Sequence, residues 1–173
     1  MNFPILSSLI LLPSIGAFFL FFTRSNQENG ITVKYVALFT SLVNFFLSIY
    51  LWILFDQSTS EFQFVEDRVW IKDLINYKVG IDGISILFII LTTFITPLCI
   101  ISVNNSIKNR LSEFLLAVLV MESFMIGVCC SLDLVVFYLF FEAGLIPMFL
   151  IIGIWGGSRR VYSAFKFFLF TLL

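Results

Sequence analysis

"VVFYLFFEAGLIPMFLIIGIWGG", residues Val135–Gly157, holds a single formal charge, the carboxylate of Glu142, in an otherwise uncharged run. About 20 apolar residues in a helix span the roughly 30 Å hydrocarbon core of a bilayer. The stretch is long enough, and it lacks the period-two alternation of a barrel strand. It reads as a transmembrane helix with an acid near its middle.

The same reading extends in both directions. Met1 to Thr23, Tyr35 to Phe55 and Gly83 to Ile107 are uncharged runs of spanning length. Phe114 to Ser131 is a fourth span, interrupted by Glu122, and Leu134 to Ser158, around the opening stretch, is a fifth. Val161 to Leu173 begins a sixth, but a helix of that length rises only about 20 Å, so the sequence predicts part of a larger protein. The first run has no charged n-region or cleavage site and further spans follow it, which makes it a helix and not a signal peptide. The predicted class is an all-α, polytopic membrane protein.

Composition agrees. The chain is 60% hydrophobic and 12% charged, against about 25% charged in a typical soluble domain. Its net charge is −1, with no basic patch for nucleic acid, and it has no His for acid–base catalysis or metal ligation. Cys99, Cys129 and Cys130 lie in apolar runs without metal-ligand spacing and read as packing residues. Phe is abundant at 23 residues and Ala scarce at five, a pattern that fits an AT-rich genome such as that of a mitochondrion or some intracellular bacteria.

Charge in the connections sets orientation. The odd-numbered ones carry Arg24 and Lys34, Lys108 and Arg110, and Arg159 and Arg160. The second, Asp56 to Asp82, carries Arg68, Lys72 and Lys78 against six acids. The positive-inside rule places the odd connections in the cytoplasm or matrix and the N-terminus outside. Within the outer loop "EFQFVED" and "RVWIKDL" alternate, which predicts short strands or a hairpin, with Trp70 and Tyr77 at the interface.

The buried charges carry the chemistry. An ionisable group at a helix centre costs about 2.5–3.5 kcal/mol on insertion scales, so Glu142 needs a partner, a wet cavity or a task. It lies about 18 Å from the inner end of its span. Either it relays protons or it ties helices together by hydrogen bonding. Pro147 removes a donor to the Ala143 carbonyl and predicts a bend beside the acid. Glu122 has the same two readings. Asp133 reads as the N-cap of the fifth helix. Lys166, about 9 Å into the sixth span, either snorkels to the basic face or points inward towards the carboxylates.

"LDLVVFYLFFEAGLIPMFLIIGIWGG" followed by "RRVYSAFKFFLFTLL" closely resembles the subunit 4/subunit M family, antiporter-like membrane subunits of respiratory complex I. "FQFVEDRVWI" and "YKVGIDGISILFIILTTFITPLCI" match that family as well. The resemblance implies the first five to six transmembrane helices of a fourteen-helix antiporter-like fold. Residues 1–112 would supply three leading helices with the outer loop at 56–82. Residues 113–173 would open the first inverted repeat, with helices 4, 5 and part of 6 and neither of the family's broken helices.

By the same resemblance the chain would be part of a proton-translocating subunit of NADH:ubiquinone oxidoreductase, coupling quinone reduction to pumping. Glu142 would match the glutamate that pairs with a lysine two helices later, beyond this sequence. Lys166 would match the lysine that tunes it, and Glu122 would be a further proton-path residue. The chain would hold no cofactor, since FMN, iron–sulfur clusters and ubiquinone are bound by other subunits. Its partners would be the other membrane-arm subunits, a second chain supplying the remaining helices, and the lipid bilayer. The expected location is the mitochondrial inner membrane, or alternatively the bacterial inner membrane. Two other readings are a subunit of a multisubunit sodium–proton antiporter, against which the outer-loop match argues, and a non-pumping structural fragment.

Overall fold

The computed structural model describes residues 4–23, 30–59, 61–71, 75–103, 107 and 110–173. These residues form six helices, α1 (Ile5–Thr23), α2 (Gly30–Leu54), α3 (Ser85–Ser102), α4 (Leu111–Cys130), α5 (Leu134–Trp155) and α6 (Arg160–Leu172), and one hairpin of β1 (Gln63–Ile71) and β2 (Ile75–Ile81) that packs against α1, α4 and α5. The first five are long and apolar enough to cross a membrane, as the sequence predicts. Their outward faces stay apolar: Phe18, Phe22, Phe39, Phe46, Phe94 and Ile101 are exposed. Lipid leaves no reason to reserve one face for polar groups, so a helix apolar all round is the expected form.

α4 sits centrally and packs on α1, α2, α3 and α5, while α6 packs on α5. Gly127 permits the α4–α5 approach, because a Cβ there would lie 2.6 Å from the Phe140 ring. Gly153 meets Ala164 across the α5–α6 contact, and Phe149 packs edge-on against Phe165 and Phe168. Arg160 Nη1 donates to the Ile154 carbonyl at 2.6 Å, closing the end of α5.

The core divides by depth. A cluster at the hairpin end contains Leu6, Leu9, Leu51, Ile86, Ile89 and Ile126. A second cluster, towards the opposite end, contains Ala17, Leu20, Ala37, Ile100, Leu115 and Leu119. Between them lie the buried polar side chains Ser41, Asn44, Thr93, Glu122 and Ser123.

The hairpin differs in detail from the sequence reading. Both alternating stretches fall largely in one strand, β1, and its antiparallel partner is INYKVGI, whose alternation is hidden by its continuity with the third span. A register irregularity between Gln63 and Glu66 coincides with Phe64 in the left-handed region, φ 53°. Glu66 then caps α1: its Oε1 accepts the Leu6 and Ser7 N–H groups at 3.0 and 3.3 Å, and its Oε2 accepts the Ser7 hydroxyl. Tyr77 is half-buried against Ser7, 3.3 Å between hydroxyls, so it ties the hairpin to α1. Burial raises its phenol above the ordinary range. The Trp70 side chain lies outside the described residues, as do Arg24, Lys72 and Lys108.

The hairpin also reaches the α4–α5 turn, where Leu132 N donates to Lys78 O at 3.0 Å. Asp133 caps α5 as predicted, accepting from Val135 N at 2.8 Å and Val136 N at 3.3 Å. Asp82 accepts the Ser85 N–H at 2.7 Å at the entry to α3, and the Ser85 hydroxyl and N–H together hold its carboxyl below the usual range. α2 begins at Gly30, earlier than the uncharged run, because Lys34 extends its stem to the Ile101 carbonyl at 3.4 Å.

Candidate functional site

Glu122 and Glu142 stand on antiparallel neighbours, α4 and α5, joined at their hairpin ends. Glu122 is eight residues before Cys130 and Glu142 eight residues after Leu134, so each lies about 12 Å from that helix end. The two acids therefore share one depth, the depth of the polar layer between the apolar clusters.

Their surroundings differ. Glu122 is 2% exposed, and its Oε1 accepts Asn44 Nδ2 from α2 at 2.9 Å. Glu142 is half-buried, and its Oε1 accepts the Tyr138 hydroxyl one turn earlier at 2.6 Å. Phe124 and Phe140, with centroids 6.5 Å apart, pack between α4 and α5. α5 runs unbroken through Pro147, whose missing N–H leaves the Ala143 carbonyl without its helical donor one residue from Glu142.

Lys166 is exposed on α6, with no hydrogen bond or ion pair to another described residue. The contacts of Ala164 and Phe168 with Gly153 and Phe149 set Lys166 level with Ile151. Nine residues separate that level from Glu142, about 14 Å along the axis. The structure thus brings Glu122 and Glu142 to one depth but does not bring Lys166 into contact with either.

Sequence reasoning missed the polar residues that complete the layer. Ser48 and Thr93 hydroxyls are 2.7 Å apart across α2 and α3. Ser14 donates to Ser123 at 2.8 Å, and Ser123 donates to the Ile10 carbonyl. The available signal was Ser41, Asn44 and Ser48, which share one face of α2 at helical spacing, Asn44 being the single amide in that helix. Among the described residues no group of three His, Cys, Asp or Glu side chains is placed to hold a metal.

An acid-bearing polar layer inside a bundle of membrane-spanning helices defines the class as a polytopic helical membrane protein that keeps ionisable groups in its interior. Residues 131–173 match the family described as NADH:quinone oxidoreductase/Mrp antiporter, transmembrane. Curated homologues of the chain are named NADH-quinone oxidoreductase subunit M and NADH-ubiquinone oxidoreductase chain 4. It is 59% identical to the Rhodobacter capsulatus subunit M over 140 residues, 81% of this chain and 27% of the relative. It is 45% identical to the Marchantia polymorpha chain 4 over 170 residues, 97% of this chain and 34% of the relative. Identity to the Rickettsia conorii subunit M is 46% over 175 residues, 99% of this chain and 36% of the relative. The chain thus spans about a third of the length of these relatives.

Proposed function

We propose that the chain forms part of a proton-translocating membrane-arm subunit of NADH:ubiquinone oxidoreductase. Glu142 and Glu122 act as proton-carrying groups, and Lys166 acts on Glu142 through space. The observation that carries the reading is the placement of two carboxylates at one depth in a polar layer enclosed by apolar spans. Retaining two acids there is costly without a task. Similarity to proteins named NADH-quinone oxidoreductase subunits supports that reaction.

The half-buried carboxylate of Glu142 fits an acid that is completed by helices outside residues 1–173. In this reading a further polypeptide segment, on a second chain, covers that face of α5 and brings the opposing lysine. Residues 1–112 form the leading three-helix unit and 113–173 the opening of the first repeat. The redox groups reside on other subunits of the same inner-membrane complex, mitochondrial by the Phe-rich, Ala-poor composition.

Glu142→Gln in the assembled complex tests the reading, since it keeps the size and acceptor oxygen and removes the titratable group. Native gels should show normal complex content, while protons moved per NADH oxidised in reconstituted vesicles should fall several-fold. Undiminished pumping by an assembled Gln variant would leave Glu142 as a helix tie.

A further inference from the structure

Two buried oxygens in the polar layer have no hydrogen-bond partner among the described residues: Glu122 Oε2 and Asn44 Oδ1. They belong to the two side chains already joined by the Asn44 Nδ2 to Glu122 Oε1 bond. Asn44 is 0% exposed and Glu122 2% exposed, so water at the surface does not supply the missing donors. Leaving two such acceptors unsatisfied costs about 1–3 kcal/mol each, more for a charged group.

A proton on Oε2 would satisfy that oxygen and give the pair a donor for Oδ1. With Oε2 protonated, the carboxyl becomes a donor, and the amide oxygen is an acceptor on the side chain already paired with it. A neutral acid and a primary amide are complementary, amide N–H to acid carbonyl and acid O–H to amide carbonyl. Turning the amide over changes nothing, because Oδ1 would then face Oε1 and again require a proton between them.

The surrounding charges point the same way. Neither α1 (Ile5–Thr23) nor α3 (Ser85–Ser102) carries a charged residue. On α2 the described cation is Lys34, ten residues or about 15 Å from Asn44, with its amine at the Ile101 carbonyl. On α4, Glu113 lies nine residues from Glu122 and within 3.9 Å of Arg110. α5 contributes a second acid, Glu142, bonded to Tyr138. On the hairpin the described charges are Glu66, which caps α1, and Asp67, Arg68 and Lys78, which are exposed. The Ser123 and Ser48 hydroxyls are committed to Ser14, Ile10 and Thr93. Among the described residues an ionised Glu122 would have one amide donor and no cation to offset a desolvation cost of several kcal/mol.

We infer that Glu122 and Asn44 form a neutral acid–amide pair, a proton-loaded site joining α2 to α4, in which Asn44 is the positioning residue. The proton on Oε2 is held between Glu122 and Asn44 at the depth of Glu142. Releasing it leaves a carboxylate and a proton, with no other bond made or broken. The inference deepens the role proposed above for Glu122, although the protonation of the pair does not depend on pumping.

Infrared difference spectroscopy on the assembled complex tests it, reading the carboxylic-acid C=O stretch in light and heavy water. A protonated-carboxyl band is expected in the wild type, absent from Glu122→Gln, retained in Glu142→Gln, and shifted towards the free-acid frequency in Asn44→Leu. Glu122→Gln also reproduces both hydrogen bonds of a neutral acid, since its Nε2 can donate to Asn44 Oδ1. It should therefore assemble to within twofold of wild-type content. Glu122→Ala leaves the amide orphaned and should reduce content several-fold.

Loss of a carboxylate band instead of an acid band in Glu122→Gln would overturn the inference, as would an unshifted acid band in assembled Asn44→Leu. Should the Leu variant fail to assemble, the Glu122→Gln spectrum decides alone. Pumping by these variants reports separately on the proposed function. A protonated Glu122 in a complex whose Gln variant pumps normally would remove the acid from the path and leave the pair standing.

Discussion

Removing the Glu66 carboxylate should loosen the first turn of α1. The first N–H groups of a helix have no partner within it, and here two of them, on Leu6 and Ser7, are satisfied by a hairpin side chain 60 and 59 residues away in sequence. Loss of a side-chain cap costs about 1 kcal/mol. Removing an anion from a helix N-terminus costs a further 0.3–1 kcal/mol, roughly. The sum for Glu66→Ala is about 1–2 kcal/mol, equivalent to about 5–30-fold in a local opening equilibrium. Hydrogen–deuterium exchange of peptides covering residues 5–11, measured on the complex in membranes, should accelerate by that factor. Glu66→Gln keeps an acceptor oxygen and loses only the charge, so its acceleration should be about fivefold or less. Unchanged exchange in Glu66→Ala would refute the capping argument and reduce the hairpin–helix contact to adjacency.

Two further outcomes follow from the geometry. Lys166→Ala should weaken pumping several-fold without abolishing it: the two residues' levels lie about 14 Å apart along the axis, and unit charges at such a separation couple by about 1 kcal/mol at an effective dielectric of 20. Wild-type pumping by the assembled variant would make Lys166 an interfacial anchor. Impermeant labelling of single cysteines at Arg110 or Arg159 should occur from the matrix or cytoplasmic side, and labelling at Glu61 or Arg68 from the opposite side. Labelling of position 159 from outside would invert the topology.

The spans were legible because membrane insertion is selected by overall hydrophobicity and length, which one sequence displays directly. The Asp133 cap was legible for a similar reason, since its partners are two and three residues away. The hairpin was half legible. "EFQFVED" and "RVWIKDL" announced extended structure, but the pairing of Arg68 with Tyr77 and Gln63 with Ile81 depends on a turn and an irregularity that alternation does not encode. The Glu66 cap follows from that register, so it was invisible until the strands were paired.

What could not be read is which residue meets which across the bundle. In a water-soluble helix the apolar stripe names the buried face, and the partners of a buried acid can be sought on facing stripes. In lipid both faces of α4 are apolar, so Glu122 identified itself as costly without indicating where it points. Asn44 carried a usable signal, because an amide is also expensive among hydrocarbon and should be found with another polar group. Pairing the costly residues by depth would have found the contact. Asn44 lies ten residues from the hairpin end of α2 and Glu122 eight from that of α4, about 15 and 12 Å down. Ser14, Ser48, Thr93 and Ser123 fall within the same layer by the same count. A bilayer interior therefore exposes a protein's polar design through depth, where water would expose it through helical face.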